Sequence, residues 1–384
     1  MPTSPSPHRP SPRSPYRTSS DFCFEDGNLT LCVGQFEFRI HRGLLGRHSD
    51  VFWDMLSIQQ PMLHDSDPSR VILHDNPEDV HYLLHALYDG LYFNKPFHKD
   101  FPFLAATLRL SCKYFITIPK RRCLSRLLQY FPTTLAEWDR RELASTDSTG
   151  RYCPRDNLPS PILVINLARS LHLESFLPAA FYDLCRYGTS KTVVGTPPFP
   201  SLSFYSGGAP APSESNGNAP SSAHCSKNVH LSHNDLVLTF RGRESGQRAL
   251  SRFVEGYIAP REPSPTCLNK NIGAGQCCRE AFHLVMINTL RSVGGIASGR
   301  DADPLYTLAQ MVEMMHRTDW IDGDTQHGLR ICLPCKADFA GAVNAGREET
   351  WRQIPGWFDL DDYQALLRRD EDVQQDRPLM SAVV

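Results

Sequence analysis

The chain has 384 residues, of which 41% are hydrophobic, 10% aromatic and 21% charged, enough apolar side chain to exclude disorder throughout. Domains cluster at roughly 100–200 residues, so this length points to two. The 40 Lys and Arg nearly cancel 42 Asp and Glu, giving a formal net charge of -2; without a global field to gather polyanions, nucleic acid is not expected as a partner.

No apolar run approaches the roughly 20 residues of a membrane-spanning helix, and Met1-Pro-Thr-Ser-Pro-Ser-Pro lacks the hydrophobic core of a signal peptide. No membrane is expected, and the protein is assigned to the cytoplasm or nucleus, between which the sequence does not distinguish. In that reducing space 12 scattered cysteines read as buried thiols or metal ligands rather than disulfides.

Residues 1–21 are rich in Pro and Ser, with arginines but hardly an apolar side chain, and are expected to be a disordered arm without a strand. Structure is expected from Phe22. Leu29, Leu31 and Val33 alternate with polar neighbours, as do Phe36, Phe38 and Ile40 across a Gly34-Gln35 step, which predicts a β-hairpin with one buried face. Leu44, Leu45, Val51, Phe52, Met55 and Leu56 fall at helical spacing, interrupted near Ser49, and predict two short helices. Val71-Ile72-Leu73 is expected to return as a third strand. Asn76-Pro77-Glu78-Asp79 opens a further helix, with Val80, Leu83, Leu84 and Leu87 as its buried stripe and Gly90 beyond its end. More helices are predicted from Leu104, Leu108 and Phe115, from Leu124, Leu127, Leu128 and Phe131, and from Leu177, Ala180, Phe181 and Leu184.

Residues 188–227 are mainly Pro, Ser, Gly and Asn and are expected to be a flexible linker dividing the chain. Beyond it, stripes within residues 236–253, 282–290 and 305–315 predict a helical C-terminal domain over residues 228–370, followed by a frayed tail, 371–384. Residues 22–131 form the N-terminal domain in this reading and 132–187 a helical extension of it, so that residues 22–187 are expected to close one core.

The segments Asp26-Gly-Asn-Leu-Thr-Leu31, Phe36-Glu-Phe38-Arg-Ile40-His41-Arg42-Gly-Leu44-Leu45 and Ser49-Asp-Val51-Phe52-Trp-Asp-Met55-Leu56 resemble the BTB (POZ) pattern, in the element order of that fold. Phe131-Pro-Thr-Thr-Leu-Ala-Glu-Trp138-Asp139, Leu177-Pro-Ala-Ala-Phe181, Arg241-Gly-Arg-Glu244 and Cys332-x-x-Cys335 are similar to landmarks of BTB proteins abundant in fungi. The resemblance implies an α+β N-terminal BTB/POZ domain, a small sheet flanked by helices, followed by a mainly α-helical C-terminal region. It implies a protein-protein interaction module: a homodimer or an adapter, with a cullin scaffold of a ubiquitin ligase or a transcriptional assembly among the protein partners. Asn28 stands where many BTB domains carry Asp, and Met62-Leu63-His64-Asp65 offers Asp65 where cullin-binding members often place Glu.

Catalytic frames are missing from the sequence. It contains no phosphate-cradling Gly-x-x-x-x-Gly-Lys-Ser/Thr loop, no His-Glu-x-x-His and no Gly-x-Ser-x-Gly elbow, so no catalytic residue and no organic cofactor are expected. His41 has no nucleophile or carboxylate beside it in sequence and is expected to be a packed histidine. Phe52 is expected in the core; Trp53, on the other side of its helix, is open to either core or partner. The exception is Cys332-Leu-Pro-Cys335, where Pro334 can open a helix whose dipole favours thiolates. Two thiols make half of a tetrahedral zinc site, and Cys267 and Cys277 are the expected second half, with Cys278 or His316 as substitutes. A redox pair and inert thiols are the other readings. The rival function is a zinc-stabilised regulator associated with nucleic acid, for which only Arg330 and Lys336 lie close to Cys332.

Overall fold

The structure, a computed structural model, describes residues 16–57, 70–149, 151–200, 202, 227–290, 299–318, 320–322 and 325–375. These form two compact units, one from the described residues of Met1–Arg126 and Phe199–Ser221, the other from those of Leu127–Pro198 and Ser222–Val384.

The first unit is built on a four-stranded sheet of order β1-β3-β2-β4: β1 (Arg17–Cys23), β2 (Leu29–Val33), β3 (Phe36–Ile40) and β4 (Arg70–Leu73). The hairpin β2-β3 pairs Val33 with Phe36 and Leu29 with Ile40. Gly34 turns it at φ +56°, a left-handed conformation that glycine adopts without steric cost. β4 returns parallel to β2, after a crossover containing α1 (Arg42–His48) and α2 (Asp50–Ser57). After the strands come α3 (Pro77–Tyr88), α4 (Phe97–Lys113) and α5 (Thr117–Tyr130), of which α5 belongs to the first unit only as far as Arg126. Asn76 caps α3 by accepting the Glu78 amide hydrogen at 2.8 Å, as its sequence signature requires.

β1 corrects the expected arm. Arg17–Cys23 is an edge strand parallel to β3 in the same chain. Its inward residues are Ser19 and Phe22, three apart, and its register slips between Thr18 and Cys23; a bulge of this kind erases the period-two signal. Residues 1–15 lie outside the described set. Phe115 is a second correction. α4 ends at Lys113, Phe115 takes φ +52°, and the Ile116 amide donates to the Ser111 carbonyl at 2.9 Å. This is a Schellman cap with Phe where Gly is usual. Tyr114 and Ile116 therefore enter the core while Phe115 faces out.

One face of the sheet makes the core. Leu31, Val33, Phe38 and Ile40 are buried against Leu45 of α1, Phe52 of α2 and Val80, Leu83 and Leu84 of α3. At the foot of α4, Phe52 stacks on Tyr114 with centroids 4.3 Å apart.

The second unit corrects the expected boundary. α6 (Leu135–Ala144), α7 (Pro161–Ser170) and α8 (Leu177–Cys185) are not an extension of the first core. They belong with α10 (His233–Phe253), α11 (Gln276–Leu290), α12 (Pro304–Met314), α13 (Leu333–Trp357) and α14 (Tyr363–Gln375). Every residue of α8 is buried, the mark of a helix covered on all sides, and α7, α10 and α13 supply much of that cover. The expected linker is ordered where it is described: α9 (Thr189–Val194) follows α8, and Thr196 bridges to Val229. Residues 201 and 203–226 lie outside the described set. The expected tail is helical as far as Gln375, and residues 376–384 are outside. A short antiparallel pair, β5 (Trp320–Asp322) and β6 (Thr325–His327), precedes α13.

Arg241-Gly-Arg-Glu244 has a structural meaning here. A Cβ on Gly242 would fall 2.0 Å from Cε1 of Phe358, a fully buried ring that stacks on Phe181. Arg241 donates to both carboxylate oxygens of Asp359, and Arg243 donates to the Cys185 and Tyr187 carbonyls at the end of α8. Gly242→Ala is expected to destabilise the chain by about 1–3 kcal/mol through overpacking, read as a lowered denaturant midpoint. An unchanged midpoint would show that Phe358 can move aside.

Candidate functional site

Four thiols converge in the second unit. After α10 a π-helical turn, Val254–Ile258, delivers the chain to a loop in which the Cys267 amide donates to the Ser264 carbonyl at 2.9 Å. Gly275 closes that loop at φ +77°; a Cβ there would lie 3.0 Å from Cγ of Pro263 and 3.8 Å from Sγ of Cys267. α11 begins at the next residue and carries Cys278 in its first turn. Cys332 is the N-cap of α13, with Pro334 in the opening turn, and Cys335 is one turn in. The Sγ separations are 3.7 Å for Cys267 to Cys278, 3.9 Å for Cys278 to Cys332 and 3.7 Å for Cys332 to Cys267. With Cys335 all four sulfurs lie within 4.8 Å of one another, and all four residues are buried.

Three of the four expected ligands are therefore together, and Cys277 is not; Cys278 takes its place. Neighbouring residues on a helix point about 100° apart, so the turn that aims Cys278 inward swings the half-buried Cys277 aside. The signal was available, since Cys278, Ala281, Phe282 and Val285 share one stripe and are all buried. His316, the other substitute, is exposed beyond α12.

Amide donors surround the sulfurs. The Ser264 amide donates to Sγ of Cys335 at 3.3 Å, and the Asn269 side-chain amide to Sγ of Cys278 at 3.4 Å. Burial opposes ionisation of Cys332, but hydrogen bonds from the backbone amides of Cys335 and Leu268, together with those from the Cys335 and Cys267 thiols, outweigh it and bring its thiol down to about 6. Burial pushes the Cys278 and Cys335 thiols up.

A second buried polar cluster in this unit was invisible to sequence reading. Asp183 of α8, wholly buried, accepts from Arg141 of α6 at 2.7 Å, Arg155 at 2.8 Å and Arg186 at 2.5 Å. Arg186 also reaches Glu142 and Asp303. Burial alone would raise the Asp183 pKa; three guanidiniums overcome that and hold the carboxyl far below the usual range. Three cations face three carboxylates, so the cluster is neutral and reads as architecture.

In the first unit the sequence landmarks have mostly structural roles. Leu31, Phe38, Ile40, Leu45 and Phe52 are core, while Leu44, Val51, Met55 and Leu56 are half-buried around it. Ser49 accepts the Phe52 amide at 3.1 Å and donates to the Tyr114 carbonyl at 2.5 Å, tying α2 to the end of α4. Asn28 accepts the Arg42 amide at 2.8 Å at the start of α1, and the Arg42 guanidinium donates to the Leu56 carbonyl. His41 lies 2.9 Å from the Tyr88 hydroxyl and 3.2 Å from the Asp26 carboxylate. The carboxylate that the adjacent sequence does not supply thus comes from the β1-β2 connection. Trp53 is the exception: its ring packs on Gly46 and is 61% exposed. Met62-Leu63-His64-Asp65 lies outside the described residues.

Among the described residues, no helix is long and apolar enough to cross a membrane. Comparison with known families gives one finding: the model of the BTB/POZ domain matches residues 20–127. No curated protein matches the chain.

Proposed function

We propose, for a chain whose N-terminal unit carries a BTB/POZ domain, that this domain pairs two copies of the protein through the face of α1 and α2, and that the second unit presents a separate surface to other proteins as an adapter would. A BTB/POZ domain is a non-enzymatic protein-protein interaction module; the pairing and the adapter role are the proposal. Exposed Trp53 carries it. Large aromatics anchor interfaces at small entropic cost, and Trp53 faces solvent from the helix that buries Phe52 on its other side. β1 hydrogen-bonds its own β3, which supports pairing without exchange of the N-terminal arm.

In sedimentation at micromolar concentration the full chain is expected to run as a dimer, and deletion of residues 1–15 should leave its mass unchanged. Trp53→Glu should give a folded monomer whose thermal transition, unlike that of the parent, does not rise with protein concentration. A parent chain that is monomeric throughout would overturn the reading. Capture of a cullin or a transcription factor by the intact chain would identify the adapter role. The rival, contact with nucleic acid, is poorly supported around the cysteines: Arg261 is paired with Asp338 and Arg279 with Glu262.

A further inference from the structure

We infer that Cys267, Cys278, Cys332 and Cys335 bind one zinc ion in a closed, structural tetrathiolate site. Zinc-thiolate bonds of about 2.3 Å in a tetrahedron place neighbouring sulfurs about 3.8 Å apart. Three of the sulfur pairs here lie at 3.7, 3.9 and 3.7 Å, and the fourth sulfur completes the group within 4.8 Å. A disulfide requires about 2.05 Å, and all four cysteines are free. The spacing is that of atoms sharing an ion.

The surroundings agree. A zinc tetrathiolate carries two negative charges in excess, which a buried site must offset. Here the Ser264 amide and the Asn269 side chain point at two of the sulfurs, and Cys332 and Cys335 occupy the positive end of a 25-residue helix. All-sulfur tetrahedral coordination suits zinc or an iron-sulfur centre and disfavours hard cations. Four protein ligands leave no open position, so the ion holds structure and activates no water. It ties together three segments, the loop at Cys267, the start of α11 and the start of α13, which are also linked by the ion pairs Arg261–Asp338 and Arg279–Glu262.

The test uses the full chain. Purified protein is expected to hold about one zinc per chain by elemental analysis, and cobalt exchanged into it should show the intense visible bands of a tetrahedral thiolate site. Cys277→Ser should keep the metal, because that thiol lies outside the cluster, whereas Cys278→Ser and Cys332→Ser should lose it at least tenfold. Should those variants fail to fold, alkylation of the parent decides: four thiols protected until a chelator removes the ion support the site. A folded, metal-free parent that takes up neither zinc nor cobalt would overturn the inference. So would loss of zinc in Cys277→Ser, or a chain purified with iron in place of zinc.

Discussion

Replacing Asp183 with asparagine is expected to cost about 3–5 kcal/mol, the usual penalty for leaving buried charge without its partner. Asp183 is the hub of the cluster, where Arg141, Arg155 and Arg186 all converge on its two oxygens. Arg141 and Arg186 are buried with it, and their remaining carboxylates, Glu142 and Asp303, cannot balance three guanidiniums alone. Denaturant unfolding of the full chain should show the loss in the transition of the second unit. A change below about 1 kcal/mol, the range of exposed pairs, would mean that water reaches the cluster. The pH dependence has a definite sign. Because the folded pKa of Asp183 lies below its unfolded value, the stabilisation is fully present above the unfolded pKa and is lost as pH falls through the folded one. The Asp183 contribution should therefore be constant from neutral pH to about 5 and fail only in strong acid.

Phe52→Ala is expected to cost a similar amount, about 3–5 kcal/mol, in the first unit. The ring is 1% exposed, stacks on Tyr114, and links α2 to the sheet core, so truncation leaves a cavity between elements that cannot close together. Its neighbour is the control. Trp53→Ala, one position along the same helix, should change the stability of the unpaired chain, measured by dilution below the pairing concentration, by less than about 0.5 kcal/mol, as exposed positions do. Equal effects of the two substitutions on the melting transition would contradict the helix phase.

How much of this was legible depended on whether local sequence carried the cause. The hairpin, the cap at Asn76 and the helix of Phe52 follow from period, turn and cap residues lying side by side, and they were read correctly. β1 was missed because its two buried residues, one a serine, are spaced by a bulge. The end of α4 was missed because Phe115 occupies a position where Gly is the readable signal. The limits of the N-terminal domain were close, but the assignment of residues 132–187 to its core failed for a different reason: a polar stretch says where the chain is solvated, whereas the partners of α8 are set by packing with helices far along the sequence. Three of the four cysteines in the cluster were legible, Cys332 and Cys335 from their Cys-x-x-Cys spacing and Cys267 as a proposed partner of that pair, and helical phase would have chosen Cys278 over Cys277. The buried ion cluster had no local signal, since Asp183 and Arg186 look like an ordinary surface pair.

The second unit is discontinuous in sequence, and this bears on its synthesis. Asp370 accepts hydrogens from the Glu174 and Ser175 amides, 195 residues or more upstream, at the entrance to α8. A ribosome adding ~5–20 residues per second takes about 10–40 s to cover that distance. Through that interval nine consecutive residues destined for complete burial have emerged without their cap, while the sheet of the first unit already has all four strands. Nascent chains should therefore meet chaperones chiefly through α8, and truncation near the C-terminus should harm solubility more than removal of an equal length at the N-terminus.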